Sequence, residues 1–203
     1  MMSRIITVSR EFGSGGRELG KRLADELGFA YYDREVVTAL ARRTGMNEEY
    51  LEHQLEQGNM MTYSLHYGQT FAQFSPAEPT VQLMSQQCRL IKELADKSDC
   101  IFVGRAADVV LEEFKPFKLF VYADDASKLV RCRARAPEGE NLSDKELIRQ
   151  MKRIDKARAE YHDIISTYAW GDRNGYHLCV NTTGVEIKTV VPAIADYFRC
   201  LYK

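Results

Sequence analysis

No apolar stretch in the chain approaches the roughly 20 residues that a bilayer-spanning helix needs, and the apolar run after Arg4 is too short for a secretory signal. A cytoplasmic protein with no membrane partner is therefore expected. Excess charge is also missing, since 28 Lys and Arg face 29 Asp and Glu. With no global field to attract nucleic acid or anionic lipid, no nucleic-acid partner is expected, and any phosphate site must be a local cluster of basic groups. The five cysteines, Cys88, Cys100, Cys132, Cys179 and Cys200, are odd in number and contain no C-x-x-C pair, which argues against both a disulfide framework and a zinc site. Cys100 and Cys179 lie in apolar runs and read as small buried hydrophobes. His53, His66, His162 and His177 show no metal-ligand spacing. No Pro/Gly/Ser-rich linker breaks the 203 residues, so one domain spanning 1–203 is expected. Nothing in the sequence speaks to oligomeric state.

What is present is an alternation of short apolar runs and amphipathic stretches. Residues 4–9 (RIITVS) form a β-branched run that breaks at Phe12-Gly13-Ser14-Gly15-Gly16, after which Leu19, Leu23, Ala24 and Leu27 recur at helical spacing. Gly28 reads as a helix stop and FAYYD (29–33) as a second strand. Val36, Val37, Leu40 and Ala41 continue as helix, and a further helix is expected over 47–57. Residues 58–80 carry no period; such a segment is either a mobile lid or binding insertion, or a plain surface loop. Beyond it, 81–97 is amphipathic, while CIFVG (100–104) and FKLFVYA (117–123) read as strands buried on both faces. Helices are expected over 125–136 and from Ser143 to near Thr167, then a strand at YHLCVN (176–181) and a last helix over 185–201. This order predicts a three-layer α/β/α, P-loop NTPase-type fold with a mainly parallel sheet of about five strands, with ligands at the carboxyl ends of the strands.

A glycine loop between the first strand and its helix gathers unpaired backbone N–H groups and the positive end of the helix dipole, and glycines let an anion approach closely. Gly13, Ser14, Gly15 and Gly16 stand there. The usual G-x-x-x-x-G-K-[ST] is absent, for Gly15 through Gly20-Lys21 ends in Arg22 and places Lys21 inside the helix. Arg17, next to the glycines, is the better-placed cation, with Arg10 a further candidate. The competing dinucleotide fingerprint G-x-G-x-x-G fails at Glu18, although Asp33 lies where a ribose-binding acid would. A dinucleotide-binding oxidoreductase is accordingly the lesser alternative.

The run Ser9-Arg10-Glu11-Phe12-Gly13-Ser14-Gly15-Gly16-Arg17 is similar to the S-R-E-F-G-S-G-G-R loop of the divergent branch of the cytidylate kinase family. The ordinary loop of that family reads G-P-S-G-S-G-K-G-T; aligned on Gly13-Ser14-Gly15, its lysine falls on Gly16 and its threonine on Glu18. Leu27-Gly28 through Asp33 resembles L-G-W-x-x-x-D-T-G, and Val103-Gly104-Arg105 resembles the G-R-D block with Ala106 in place of aspartate. Arg153-x-Asp155-x-x-Arg158 resembles the R-x-D-x-x-R of the segment that closes over the phosphates, and Asn181-Thr182-Thr183 resembles D-T-T. Pro79-x-Val81 resembles P-x-V-R, with Gln82 in place of the phosphate-binding arginine.

The resemblance implies transfer of the ATP γ-phosphoryl group, with Mg²⁺, to a nucleoside monophosphate such as CMP or dCMP. It implies catalytic roles for Arg17, Arg105, Arg153 and Arg158, and nucleotide binding by Gly13, Ser14, Gly15, Gly16, Arg17, Arg131 and Arg135. Acceptor binding falls to Asp33, Arg105, Asp155 and Arg158, with Asp33 also a candidate for Mg²⁺ through water and residues 143–172 a closing segment. Arginine suits these roles because its planar fork binds phosphate oxygens bidentately. Arg131, Arg133 and Arg135 alternate on one helix, so at least one is expected in solvent. The missing lysine and threonine keep open a second reading, a regulatory protein that binds nucleotide without phosphotransfer.

Overall fold

The structure, a computed structural model, describes residues 3–48, 51, 78–136 and 142–202. Its centre is a sheet of five parallel strands, β1 (Ile5–Arg10), β2 (Ala30–Tyr32), β3 (Cys100–Val103), β4 (Phe117–Tyr122) and β5 (Leu178–Asn181), in the order β2-β3-β1-β4-β5. The seven helices among the described residues are α1 (Gly16–Leu27), α2 (Arg34–Thr44), α3 (Glu78–Ala95), α4 (Ala107–Val110), α5 (Asp125–Arg135), α6 (Asp144–Ile165) and α7 (Ile187–Leu201). The parallel α/β architecture is the one the alternation predicts. Each expected strand and helix within the described residues is found, to within about three residues at its ends. Not anticipated were α4 and the two short 3₁₀ turns at Glu112–Phe114 and Arg173–Gly175, which are too short to show a period.

Strand β1 is buried along its whole length because both sheet faces are covered. Ile6, Val8, Ile101 and Val103 point to one face and pack with Leu19 and Leu23 of α1 and Val191, Ile194 and Phe198 of α7. Ile5, Cys100 and Phe102 point to the other, against Val36, Val37 and Leu40 of α2 and Leu90 and Ile91 of α3. This two-sided burial explains why the central strands read as continuous apolar runs. Residues 49–50 and 52–57 of the helix expected over 47–57 lie outside the described residues, as does all of 58–80 except its last three, which begin α3. Leu51 is buried in the same cluster as Val36 and Leu40.

With β1 central, every strand ends on the same edge of the sheet. The loops after β1, β2, β3 and β5 and the inner face of α6 meet there.

Candidate phosphate and acceptor site

The chain leaves β1 at Arg10 and turns through Gly13 (φ 76°) and Gly15 (φ 84°) into α1. Gly15 is the N-cap and supplies no side-chain hydrogen bond, so the first N–H groups of the helix have neither an intrahelical acceptor nor a cap. The loop is held from outside. Glu11 N–H donates to Val121 O, and Phe12 N–H donates to Asp155 Oδ1 at 2.6 Å. The Thr182 hydroxyl, fully buried, donates to Ser14 O at 2.7 Å. Lys128 of α5, 7% exposed, pairs with Glu11 Oε2 at 2.6 Å. Lys128 is not marked out by the sequence, because one lysine in an arginine-rich helix carries no pattern. Its signal was position, since it stands on the same helical face as Arg131 and Cys132.

A cavity of about 350 Å³ opens above this loop. Its lining brings together Gly13, Gly15, Gly16 and six arginines, Arg10, Arg17, Arg34, Arg131, Arg135 and Arg158, with Glu11 the one acid among the lining residues. The cations are held in place. Arg131 Nη2 bonds the carbonyls of Thr182 and Val185 after β5, Arg135 pairs with Glu18 at 2.6 Å, and Arg158 Nη1 donates to Arg10 O at 3.2 Å. Burial and the neighbouring Arg135 lower the pKa of Arg131 from its ordinary value. Arg133 is the outward member of its trio, bonded to Asp144 and Leu142 O. Lys21 is exposed and pairs with Asp25.

A second, smaller cavity of about 40 Å³ lies deeper, between the ends of β1 and β3 and the inner face of α6. Ser9, Arg10, Gly104, Arg105, Arg158, His162 and Trp170 are among its lining residues. The turn after β3 is strained. Gly104, Arg105 and Ala106 are all left-handed, with φ of 76°, 61° and 48°, and for the two non-glycines this costs roughly 1–2 kcal/mol each. At Gly104 a Cβ would lie 1.7 Å from Arg10 Nη1, so a side chain there would displace the Arg10 guanidinium. Trp170 packs edge-on against Phe120, ring centroids 5.2 Å apart, and reaches the cavity rim. Arg10 and Arg158 line both cavities.

Two of the sequence expectations meet a different arrangement. Arg153 is exposed on α6 and lines neither cavity; lying two residues from buried Met151, it is turned about 200° around the helix. Asp33 is 4% exposed, and its Oδ2 is held by Arg17 Nε at 2.5 Å while its Oδ1 faces Arg10 Nη2 at 3.9 Å. It stands at the N-cap of α2 without capping it. A carboxylate between two guanidiniums does not fit Mg²⁺, and the Ser14 hydroxyl is fully buried, donating to Glu11 O. Among the described residues no three His, Cys, Asp or Glu side chains gather as a metal site. Asp155, half-buried, accepts from Phe12 N–H and, at 3.4 Å, from Arg158; its burial outweighs these contacts and raises its pKa.

A model of the cytidylate kinase-like family matches residues 5–184. No curated protein matches the chain. Among solved structures, an uncharacterized protein from Eubacterium ventriosum is similar at TM-score 0.69 and 24% identity, over 97% of this chain and 99% of that one. Shikimate kinase from Bacteroides thetaiotaomicron is similar at TM-score 0.58 and 14% identity, over 97% and 98% of the two chains. A gluconokinase from Sinorhizobium meliloti is similar at TM-score 0.51 and 13% identity, over 98% and 93%. At these identities the likeness is one of fold. Among the described residues no helix is long and apolar enough to cross a membrane.

Proposed function

The chain belongs to the cytidylate kinase-like family, and from that premise we propose that it transfers the γ-phosphoryl group of ATP to a nucleoside monophosphate, CMP or dCMP first among them. The observation that carries this reading is the pair of adjoining arginine-lined cavities joined by Arg10 and Arg158. In such a transfer the bond from the γ-phosphorus to the β,γ-bridging oxygen breaks, and a bond forms to an oxygen of the acceptor phosphate. Two polyanions must therefore be held in line, and the protein's task is alignment and placement of positive charge. The N–H groups from Gly13 to Arg17 and the guanidiniums of Arg17, Arg131 and Arg135 receive the ATP phosphates. Arg105 and Arg158 receive the acceptor, with Asp33 and Asp155 behind the cavity linings holding Arg17 and Arg158. Arg10 and Arg158 stand between the two, where the transferred group passes. Although the family implies Mg²⁺, the residues at Asp33 do not fit it, and no step here depends on it.

The pairing of Arg17 with Asp33 and the buried Ser14 hydroxyl favour a second reading, a nucleotide-binding regulator without phosphotransfer. ADP release from ATP and Mg²⁺, measured against a panel of nucleoside monophosphates, small hydroxylated metabolites and a blank, separates the two. Turnover dependent on CMP or dCMP is the expected result. Turnover only with a different acceptor overturns the nucleotide assignment, and ATP binding with no turnover on any acceptor establishes the regulator instead.

A further inference from the structure

Behind the small cavity lies a buried polar cluster to which the proposed reaction assigns no part. His162 is 2% exposed and Asp108 1% exposed. His162 Nε2 lies 3.1 Å from Asp108 Oδ2, and its Nδ1 lies 3.3 Å from Asp163 Oδ1. The Tyr168 hydroxyl donates to the same Asp108 oxygen at 2.9 Å, and Lys118 Nζ approaches Tyr168 at 3.4 Å. An ionised carboxylate only accepts hydrogen bonds, so carboxylates against both nitrogens favour the doubly protonated ring against the burial that opposes it, and raise its pKa. The groups facing the imidazolium are Asp108 from α4, Asp163 and Arg158 from its own helix, Tyr168 after it, and Arg105 across the shared cavity. Two acids offset its charge, so its contribution to an anion in the cavity is not electrostatic.

The geometry gives it a different role. Asp108 follows Arg105 by three residues, and His162 follows Arg158 by one helical turn. The Asp108–His162 bond is thus a cross-tie between the two chain segments that present Arg105 and Arg158 to the cavity. One of those segments is the left-handed turn Gly104–Ala106, which local preference alone would not hold. Stability does not account for such a tie. A buried ion pair is often no better than an apolar pair of the same volume, and Asp108 Oδ1 has no hydrogen-bond partner. We propose that His162, with Asp108 and Tyr168, is a positioning residue that fixes the separation of Arg105 and Arg158 and so shapes the small cavity to one anionic group of the acceptor. This rests on the reading of that cavity as the acceptor's seat.

The test uses inorganic phosphate as the probe and Trp170, the one tryptophan of the chain, as a fluorescent reporter at the cavity rim. In the double variant Asp108→Leu/His162→Phe the buried pair is replaced by apolar groups and the Tyr168 hydroxyl loses its acceptor, so the variant is expected to fold with a modestly lowered thermal midpoint. Phosphate affinity is expected to fall about tenfold, the equivalent of one misplaced charge-assisted hydrogen bond, with a smaller loss in ATP affinity because Arg158 is one of six arginines lining the larger cavity. Wild-type phosphate affinity in the variant, or no Trp170 response to phosphate in the wild type, overturns the proposal. Equal losses in phosphate and ATP affinity do so as well, because they indicate a general structural effect. Should the variant not fold, ¹⁵N spectra of the wild-type histidines decide: a proton on His162 Nε2, the nitrogen facing Asp108, supports the tie, and a bare Nε2 refutes it. None of these readouts needs turnover. A wild-type protein that binds phosphate but phosphorylates nothing counts against the proposed reaction and not against the tie.

Discussion

Replacing Arg17 by alanine separates what this arginine does for the fold from what the proposed transfer asks of it. Its side chain is 48% exposed, so solvent screens the 2.5 Å pair with Asp33, and the direct worth of the pair is that of a surface salt bridge, under about 1 kcal/mol. Its removal leaves a buried carboxylate with Arg10 at 3.9 Å, and an unsatisfied buried acceptor costs about 1–3 kcal/mol. Arg10 and entering water offset part of that, so a net loss of about 2 kcal/mol is expected. For a chain of this size it lowers the thermal midpoint by about 4–8 °C, and the variant remains folded. Loss of one preorganised charged donor from a developing transition state costs about 10²–10³ in kcat. Coupled ADP-release kinetics against thermal unfolding therefore give two numbers of very different size. Arg17→Lys is expected to fall between, since it keeps the charge and loses the fork. If Arg17→Ala turns over within about threefold of wild type while its midpoint falls as expected, Arg17 is a strut for Asp33 and the argument that it replaces the lysine fails.

Gly15→Ala and Gly28→Ala form a matched pair. Both glycines have positive φ, 84° and 69°, but a Cβ at 15 lies 2.5 Å from Ile187 Cδ1 while one at 28 meets nothing within 4 Å. Urea unfolding should show Gly28→Ala costing about 1–2 kcal/mol of strain and Gly15→Ala costing more; equal costs would contradict the packing of the loop on α7. Asp155→Asn should leave stability unchanged or raised, because the amide oxygen still accepts from Phe12 N–H and the burial that raises the Asp155 pKa no longer opposes a charge. Asp155→Ala should lose about 1 kcal/mol, and a more damaging Asn variant would show that the charge itself holds the loop. Burial opposes the His162 imidazolium, but the bonds and charge of Asp108 and Asp163 outweigh it and raise its pKa. A raised folded pKa means stability fully present below the unfolded value of about 6.5 and lost as pH rises through the folded one. Asp108, lowered in pKa by His162 and Tyr168 against its own burial, adds stability that is lost as pH falls through its folded value. The wild-type midpoint should thus decline above about pH 6.5, a decline missing from the Asp108→Leu/His162→Phe variant; the same decline in both would assign it to other groups.

The fold was legible because its signals are local. Alternating faces that are both covered leave β1 and β3 as unbroken apolar runs, and Leu19 and Leu23 recur at helical spacing on a face that meets the sheet. The site was legible in part. The glycine loop announced itself by composition, and Arg105, Arg131, Arg135 and Arg158 were singled out by resemblance to a family pattern; all line one or other cavity. What escaped depends on residues distant in the chain. Lys128 and Glu11 are far apart in sequence, and so are Thr182 and Ser14. Asp108 and His162 are individually unremarkable letters whose meaning is their 3.1 Å approach. Arg153 belonged to a motif, but a motif fixes spacing and not the face that the helix turns inward.

The usual loop lysine has no room beside Arg10 in this structure. Its position is Gly16, where a Cβ would lie 2.5 Å from Arg10 Cβ and 3.0 Å from Arg10 Cγ. No side chain fits there while Arg10 lies across the end of β1. The two positions are therefore coupled, and an arginine at the strand end excludes a lysine at the helix start. Arg10 is 9% exposed and reaches from the glycine loop to Gly104, lining both cavities. A lysine at the helix start would be a point charge on a flexible stem, within reach of the larger cavity alone. Arg10 is a fork whose stem is clamped by Gly16 and whose head is clamped by Gly104, so its charge is shared between the two cavities at little entropic cost. Arg17, paired with Asp33, completes the positive rim on the side of β2.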